Sequence, residues 1–226
     1  VTGSGKTEVY IESILELTKN NKGVIVIVPE IALTPQLVDR FRARLGDDIA
    51  VLHSALSKKV RWDAWRGLAE GRLSIAIGAR SALFAPVKNV GLIIVDEEHD
   101  PSFKQSEGSF RYNARDSAIT RGKLASCPVV LGSATPSLET FYNSTQIKKF
   151  TYLSLPKRSH TASKVDIEII NINNIKPWEK KSPNITNDLY KHLKQTIDSG
   201  EQAFILYNRR GFSNYLQCNK CQQVLQ

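Results

Sequence analysis

Methionine is absent from this chain of 226 residues, and cysteine occurs only three times. So few thiols cannot form the disulfide framework of a small secreted domain, and a reducing, cytoplasmic setting fits best. No apolar run approaches the roughly 20 residues a membrane-spanning helix needs, and no secretory leader is visible, so a membrane is not expected among the partners. Acidic residues are also scarce. Asp and Glu number 22 against 31 Lys and Arg, leaving a formal charge of +9 at pH 7. That excess favours polyanions, nucleic acid ahead of an anionic membrane surface. Composition alone equally allows a basic domain without such a partner.

What is present begins at the first residue. Val1-Thr2-Gly3-Ser4-Gly5-Lys6-Thr7 reads as the last seven positions of G-x-x-x-x-G-K-[ST], with only the leading Gly missing. Glycines at these positions let backbone N–H groups turn inward around phosphates. Thr2, Gly3, Ser4, Gly5, Lys6 and Thr7 are thus the candidate ATP-binding set, with Lys6 reaching the terminal phosphates and the Thr7 hydroxyl ligating Mg²⁺. A helix starting near Gly5 aims its N-terminal dipole at the same anion. A Gly/Ser turn that happens to end in Lys-Thr is the plain alternative. An opening inside a motif, with no Met, leads to the expectation that this is a fragment.

Strand and helix signals alternate along the first part. Helical spacing is expected over 8–19. Residues 23–28 form a β-branched run suited to a strand buried on both faces. Thr34-Pro35 caps a helix over 35–45 that Gly46 stops. A short strand over 49–52 follows, then a helix capped by Ser57 and ending near Gly71. Its Trp62, Trp65 and Leu68 share a face and are read as core. Strands are expected at 73–77, 91–95 and 128–131, with a helix near 114–125 and another opened by Thr135-Pro136. This order defines a doubly wound parallel α/β domain. The expected organisation is a first domain over 1–147, a polar connection over 148–164, and the start of a second α/β unit over 165–226. That unit is read as a strand at 165–172, a helix at 185–198 and a strand at 203–207.

Asp96-Glu97-Glu98-His99 follows an apolar strand. Carboxylates at a strand's C-terminal end lie where an open α/β sheet places its ligands. Asp96 suits Mg²⁺, and Glu97 is placed to orient or deprotonate an attacking water. His99 either senses the terminal phosphate or links the site to a neighbouring loop. Ser133 and Thr135, in Gly132-Ser133-Ala134-Thr135-Pro136, offer hydroxyls suited to bonding the Asp-Glu-Glu-His carboxylates. Helix capping by Thr135 is compatible with that.

The order of phosphate loop, Asp-Glu-Glu-His and Ser-Ala-Thr resembles the superfamily 2 helicases, with a RecA-like P-loop NTPase fold. Longer segments narrow the resemblance to the replication-restart DNA helicases: 1–10, 29–36, 78–86, 96–100, 132–136 and 207–212. What this implies is an ATP-driven 3′→5′ DNA helicase acting on forked or single-stranded DNA with other primosome and single-strand-binding proteins. The first domain would be one motor half and the second a truncated partner. Lys6, Asp96 and Glu97 would be catalytic, while His99, Ser133 and Thr135 would couple hydrolysis to motion. Arg80 and Ser81 match a motif that touches the DNA backbone. The loop over 102–112 resembles the family's aromatic-rich loop. Phe110 and Tyr112 can stack on bases while Lys104 and Arg111 meet phosphates. It departs from the family at Ser109, where Trp is common. Cys218-Asn219-Lys220-Cys221 would open a Zn²⁺-binding insertion, incomplete here; alone, such a pair is half of a tetrahedral thiolate site. Cys127 is read as a buried thiol. Arg209 and Arg210 resemble the start of a second-domain motif, or form a solvated turn. Two other readings stay open: another nucleic-acid translocase, acting on RNA or duplex DNA, and a binding scaffold with a vestigial nucleotide site.

Overall fold

The computed structural model describes residues 3–106, 108, 110–158, 166–171, 175–176, 180–182, 185–206, 216–217 and 224–225. They fall into two units, spanning Val1–Ser163 and Lys164–Gln226.

The first unit runs α1 (Lys6–Lys19), β1 (Gly23–Ile27), α2 (Pro35–Leu45), β2 (Ile49–Leu52), α3 (Lys58–Glu70), β3 (Ile75–Gly78), β4 (Val90–Asp96), α4 (Ala114–Leu124), β5 (Val129–Gly132) and α5 (Leu138–Thr145). The strands form one parallel sheet in the order β2-β3-β1-β4-β5. Every residue of β1 is buried, as its β-branched run requires of a strand covered on both faces. Successive side chains then point to opposite faces. Val24 and Val26 join Ile11, Ile14 and Phe41 under α1 and α2. Ile25 and Ile27 join Leu68, Phe103 and Ala118 under α3 and α4. Each of the Val, Ile, Leu and Phe side chains contributes about 1.5–3 kcal/mol on burial.

Local signals set the helix ends. Thr34 Oγ1 accepts from the Leu37 amide at 3.3 Å with Pro35 at the first helical position, and Ser57 Oγ accepts from the Val60 amide at 3.3 Å. The last helix starts later than expected. Ser137, not Thr135, caps α5 by accepting from the Thr140 amide at 3.3 Å. The α3 reading also needs correction. Leu68 is fully buried, but Trp62 is 64% exposed and Trp65 36%. The small Gly67 and Ala64 pack with Leu68 on the inner face, so the indoles point out. Cys127 is half-buried against the core, and its burial raises the thiol pKa.

The second unit holds β6 (Lys180–Ser182) antiparallel to β7 (Ile185–Thr186), then α6 (Asn187–Asp198), capped by Thr186, and the antiparallel pair β8 (Leu216–Gln217) and β9 (Val224–Leu225). The expected helix at 185–198 is therefore present as α6. The expected strands at 165–172 and 203–207 lie partly outside the described residues; residues 166–171 and 203–206 are in no strand. Ile169 stays 90% exposed and Phe204 95%. An apolar run becomes a strand only where a neighbouring strand takes its backbone hydrogen bonds.

Candidate functional site

The site lies where strands β1, β3, β4 and β5 end. Gly3 and Gly5 have φ of 74° and 88°, in the left-handed region that favours glycine. A Cβ at either would meet no atom within 4 Å, so backbone angle rather than space demands glycine here. Gly5 is the N-cap of α1 and makes no side-chain cap, leaving the helix's N-terminal amides and dipole facing the rim. Ser4 Oγ is buried without a hydrogen-bond partner, alone in this among the described residues. Such an orphan costs about 1–3 kcal/mol until something accepts or donates to it. An oxygen-rich anion beside Lys6 fits that need, and Thr7 and Asp96 are the hard oxygen donors Mg²⁺ prefers. Thr2 lies outside the described residues.

Lys6 Nζ stands 2.7 Å from Glu97 Oε1 and 3.7 Å from Asp96 Oδ1. Lys6 thus meets two neighbouring carboxylates from far along the chain. Glu97 follows β4 with φ of 49°, a backbone conformation unusual for a side-chain-bearing residue. Strain of this kind clusters at functional positions. It turns the carboxylate back toward Lys6.

Tyr10, on α1, donates its hydroxyl proton to Asp96 Oδ1 at 2.9 Å. Burial and the neighbouring Asp96 hold the Tyr10 phenol protonated well above its ordinary range. Sequence reading missed this partner, since Tyr10 sits on the periodic apolar face of α1. Room for it comes from Gly132, which lies opposite Asp96 in the β4–β5 register. A Cβ on Gly132 would sit 1.7 Å from the Tyr10 oxygen. Gly132→Ala is therefore expected to cost about 1–3 kcal/mol. Tyr10→Phe, which removes the clashing oxygen, should recover part of that loss. A double-mutant cycle by urea denaturation checks this; strictly additive losses would contradict the contact.

The hydroxyls of Ser133 and Thr135 do not reach the carboxylates. They bracket His99 instead: Ser133 Oγ is 2.8 Å from Nδ1 and Thr135 Oγ1 3.4 Å from Nε2. The carboxylate partners lie further on. Glu98, only 3% exposed, accepts from the Ser137 amide at 2.7 Å and the Thr140 hydroxyl at 2.9 Å, and pairs with Arg115 at 3.3 Å. Glu98 thereby ties the loop after β4 to the starts of α4 and α5. The later start of α5 accounts for the miss: with Ser137 rather than Thr135 as cap, its amide and hydroxyl face Glu98.

A second group lies beside this site. Arg80, on the 3₁₀ segment Arg80–Phe84, donates to the Ser102 carbonyl at 3.1 Å and stands 5.9 Å from the Tyr112 ring centre. Tyr112 packs edge-on to Phe84 at 5.1 Å and against Phe110 at 5.5 Å. Lys104 bridges Asn113, and the Gln105 amide donates to the Tyr112 carbonyl at 2.8 Å, closing the loop at its base. Phe103 is buried beneath it, while Phe110, Arg111, Lys104 and Ser81 are exposed. Arg121 of α4 holds the Arg80 segment by donating to the Leu83 carbonyl and to the Ala85 carbonyl at 2.8 Å. Ser109, Arg209, Arg210, Cys218 and Cys221 lie outside the described residues. Among those described, no three His, Cys, Asp or Glu side chains cluster as a metal site. No described helix is long and apolar enough to cross a membrane.

A glycine-rich loop opposed to an acidic strand end, on a parallel sheet covered by helices, defines a RecA-like α/β fold. The chain belongs to the DEAD/DEAH box helicase family, which matches residues 1–143. Nucleotide and Mg²⁺ use comes with that family. Along its whole length the chain is 46% identical to the replication restart protein PriA of Chlamydia pneumoniae and 43% identical to that of Bacillus subtilis. It spans 30% and 28% of those relatives' lengths. Among solved structures, the helicase domain of Pyrococcus furiosus Hef matches 61% of this chain and 30% of its own, at 21% identity and a TM-score of 0.42.

Proposed function

We propose that this chain is the first motor half, with the start of the second, of an ATP-dependent 3′→5′ DNA helicase that restarts replication and assembles the primosome at forked DNA. The observation that carries the reading is the meeting of Lys6 with Glu97 and Asp96 beside the unpaired Ser4 hydroxyl. Whole-length similarity to replication restart proteins supports the task.

Lys6 pairs with Glu97 at 2.7 Å. A bound terminal phosphate gives Lys6 a stronger anionic partner, and Glu97 is released. Its carboxylate then accepts a proton from the attacking water, or orients that water. Mg²⁺ would supply positive charge to the phosphates. Thr7 and Asp96 would hold it, and the Tyr10 hydroxyl fixes which way Asp96 turns. His99, held between Ser133 and Thr135, moves with the loop after β5 and so carries the state of the site to α5. On the other side, Arg80, Ser81, Lys104, Phe110, Arg111 and Tyr112 would meet DNA. Motors of this class complete the site with an Arg from the second half, worth about 10³–10⁵ in rate. The chain alone is therefore expected to turn over ATP very slowly. Cys218 and Cys221 would supply two thiolates to Zn²⁺, and single-strand-binding and primosome proteins would be its partners in the cytoplasm.

The test is ATP hydrolysis by a protein of the relatives' full length. Forked DNA, plain duplex, single-stranded RNA and no nucleic acid are compared. Stimulation greatest with forked DNA supports the reading. Equal stimulation by RNA points to a general superfamily 2 translocase, and none at all to a scaffold.

A further inference from the structure

The outer face of α3 takes no part in the core or in the nucleotide site. At 100° per residue, Lys58 and Arg66 fall one turn before and one turn after Trp62, within about 40° of it around the helix. Lys59 and Trp65 complete the same sector, and Lys58, Lys59, Arg61 and Arg66 are all exposed. Two indoles 64% and 36% exposed are a large apolar surface to leave in water. Residues 58–72 carry five basic side chains (Lys58, Lys59, Arg61, Arg66, Arg72) against two acidic ones (Asp63, Glu70). Glu70 is already engaged by Arg66 at 2.6 Å and Arg72 at 2.7 Å.

This face adjoins the rim that holds the candidate site. The Ala79 amide, just before Arg80, donates to the Leu52 carbonyl at the end of β2, and α3 begins six residues after that strand. The Ser54 hydroxyl in the connection bonds the Glu30 carboxylate after β1. The first turn of α3 and the Arg80 segment therefore rise from neighbouring strand ends.

We propose that the outer face of α3 is a second contact for single-stranded nucleic acid, with a base stacked on Trp62 and flanking phosphates on Lys58 and Lys59. The proposal rests on the nucleic-acid-motor reading and extends its track across the sheet edge. Exposed indoles ringed by cations suit a polyanion with flat apolar faces. An apolar protein partner would have to bury those cations without pairing them.

The experiment measures binding of a labelled oligothymidylate to the full-length protein by fluorescence anisotropy, at several salt concentrations. Trp62→Ala should weaken binding about 5- to 100-fold, and Trp62→Phe should restore most of it. The Lys58→Gln/Lys59→Gln pair should flatten the log–log salt slope by about 1.4. Thermal midpoints and the ATPase rate at saturating DNA should match wild type, with only the half-saturating DNA concentration raised. If the wild type is DNA-stimulated and Trp62→Ala binds as tightly as it does, the α3 contact is overturned and the motor reading stands. If Trp62→Ala instead loses a protein partner with DNA binding intact, the face is a protein dock and the proposal is likewise overturned. If DNA neither binds nor stimulates the wild type, both fall.

Discussion

Lys6→Ala, made in the full-length protein, is expected to lower DNA-stimulated ATP hydrolysis by about 10²–10³, the cost of removing one preorganised charge from a site where negative charge develops. Lys6 sits at 2.7 Å from Glu97 and 3.7 Å from Asp96, so its loss leaves two adjacent carboxylates facing each other with no cation between them. The effect should fall on the maximal rate as well as on ATP affinity. Binding of single-stranded DNA, which uses other side chains, should persist. Steady-state hydrolysis with saturating DNA, paired with DNA anisotropy on the same preparation, checks this. A scaffold with a vestigial site would show equal, low hydrolysis in both proteins. Lys6→Arg is a useful second variant: it keeps the charge but not the compact ammonium, and should recover only part of the activity.

The second large effect is structural. Glu98→Ala is expected to destabilise the first unit by about 3–5 kcal/mol, because it removes the buried member of an ion pair that is also the acceptor for two further donors. Arg115, 17% exposed in its side chain, keeps only Asp116 at 2.9 Å as an ionic partner, and the Ser137 amide and Thr140 hydroxyl lose their acceptor. For a unit of this size the loss should lower the melting midpoint by roughly 6–20 °C. Glu98→Gln, which keeps an acceptor oxygen, should cost less. Asp63→Ala, at an exposed position of α3, should change stability by no more than about 0.5 kcal/mol. Thermal melts followed by circular dichroism compare the three. Equal midpoints for Glu98→Ala and Asp63→Ala would mean that the network does not hold α4 and α5 to the sheet.

The sequence by itself determined the parts of this protein that depend on near neighbours. Thr34-Pro35 and Ser57 cap helices because a side chain bonds an amide three residues on. The β-branched run at 23–28 became an interior strand, buried at every residue, because such a run is stable only where helices cover both faces. The phosphate loop and the acidic strand end were legible because their chemistry needs fixed residue types at fixed spacing. Tertiary structure alone decided who meets whom. Tyr10 looks like one more apolar-face residue until α1 lies against Gly132 and its hydroxyl finds Asp96. Trp62 and Trp65 share a sector with each other but not with Leu68's packing partners, and periodicity cannot say which sector a sheet will cover. Ser133 and Thr135 reach His99 rather than the carboxylates because Glu98 is already saturated by Ser137, Thr140 and Arg115. Residues 166–171 and 203–206 have the composition of strands but lie in none. Spacing along a chain fixes local geometry through a few torsion angles. Contacts between distant segments depend on how whole elements pack, and no short window of sequence contains that.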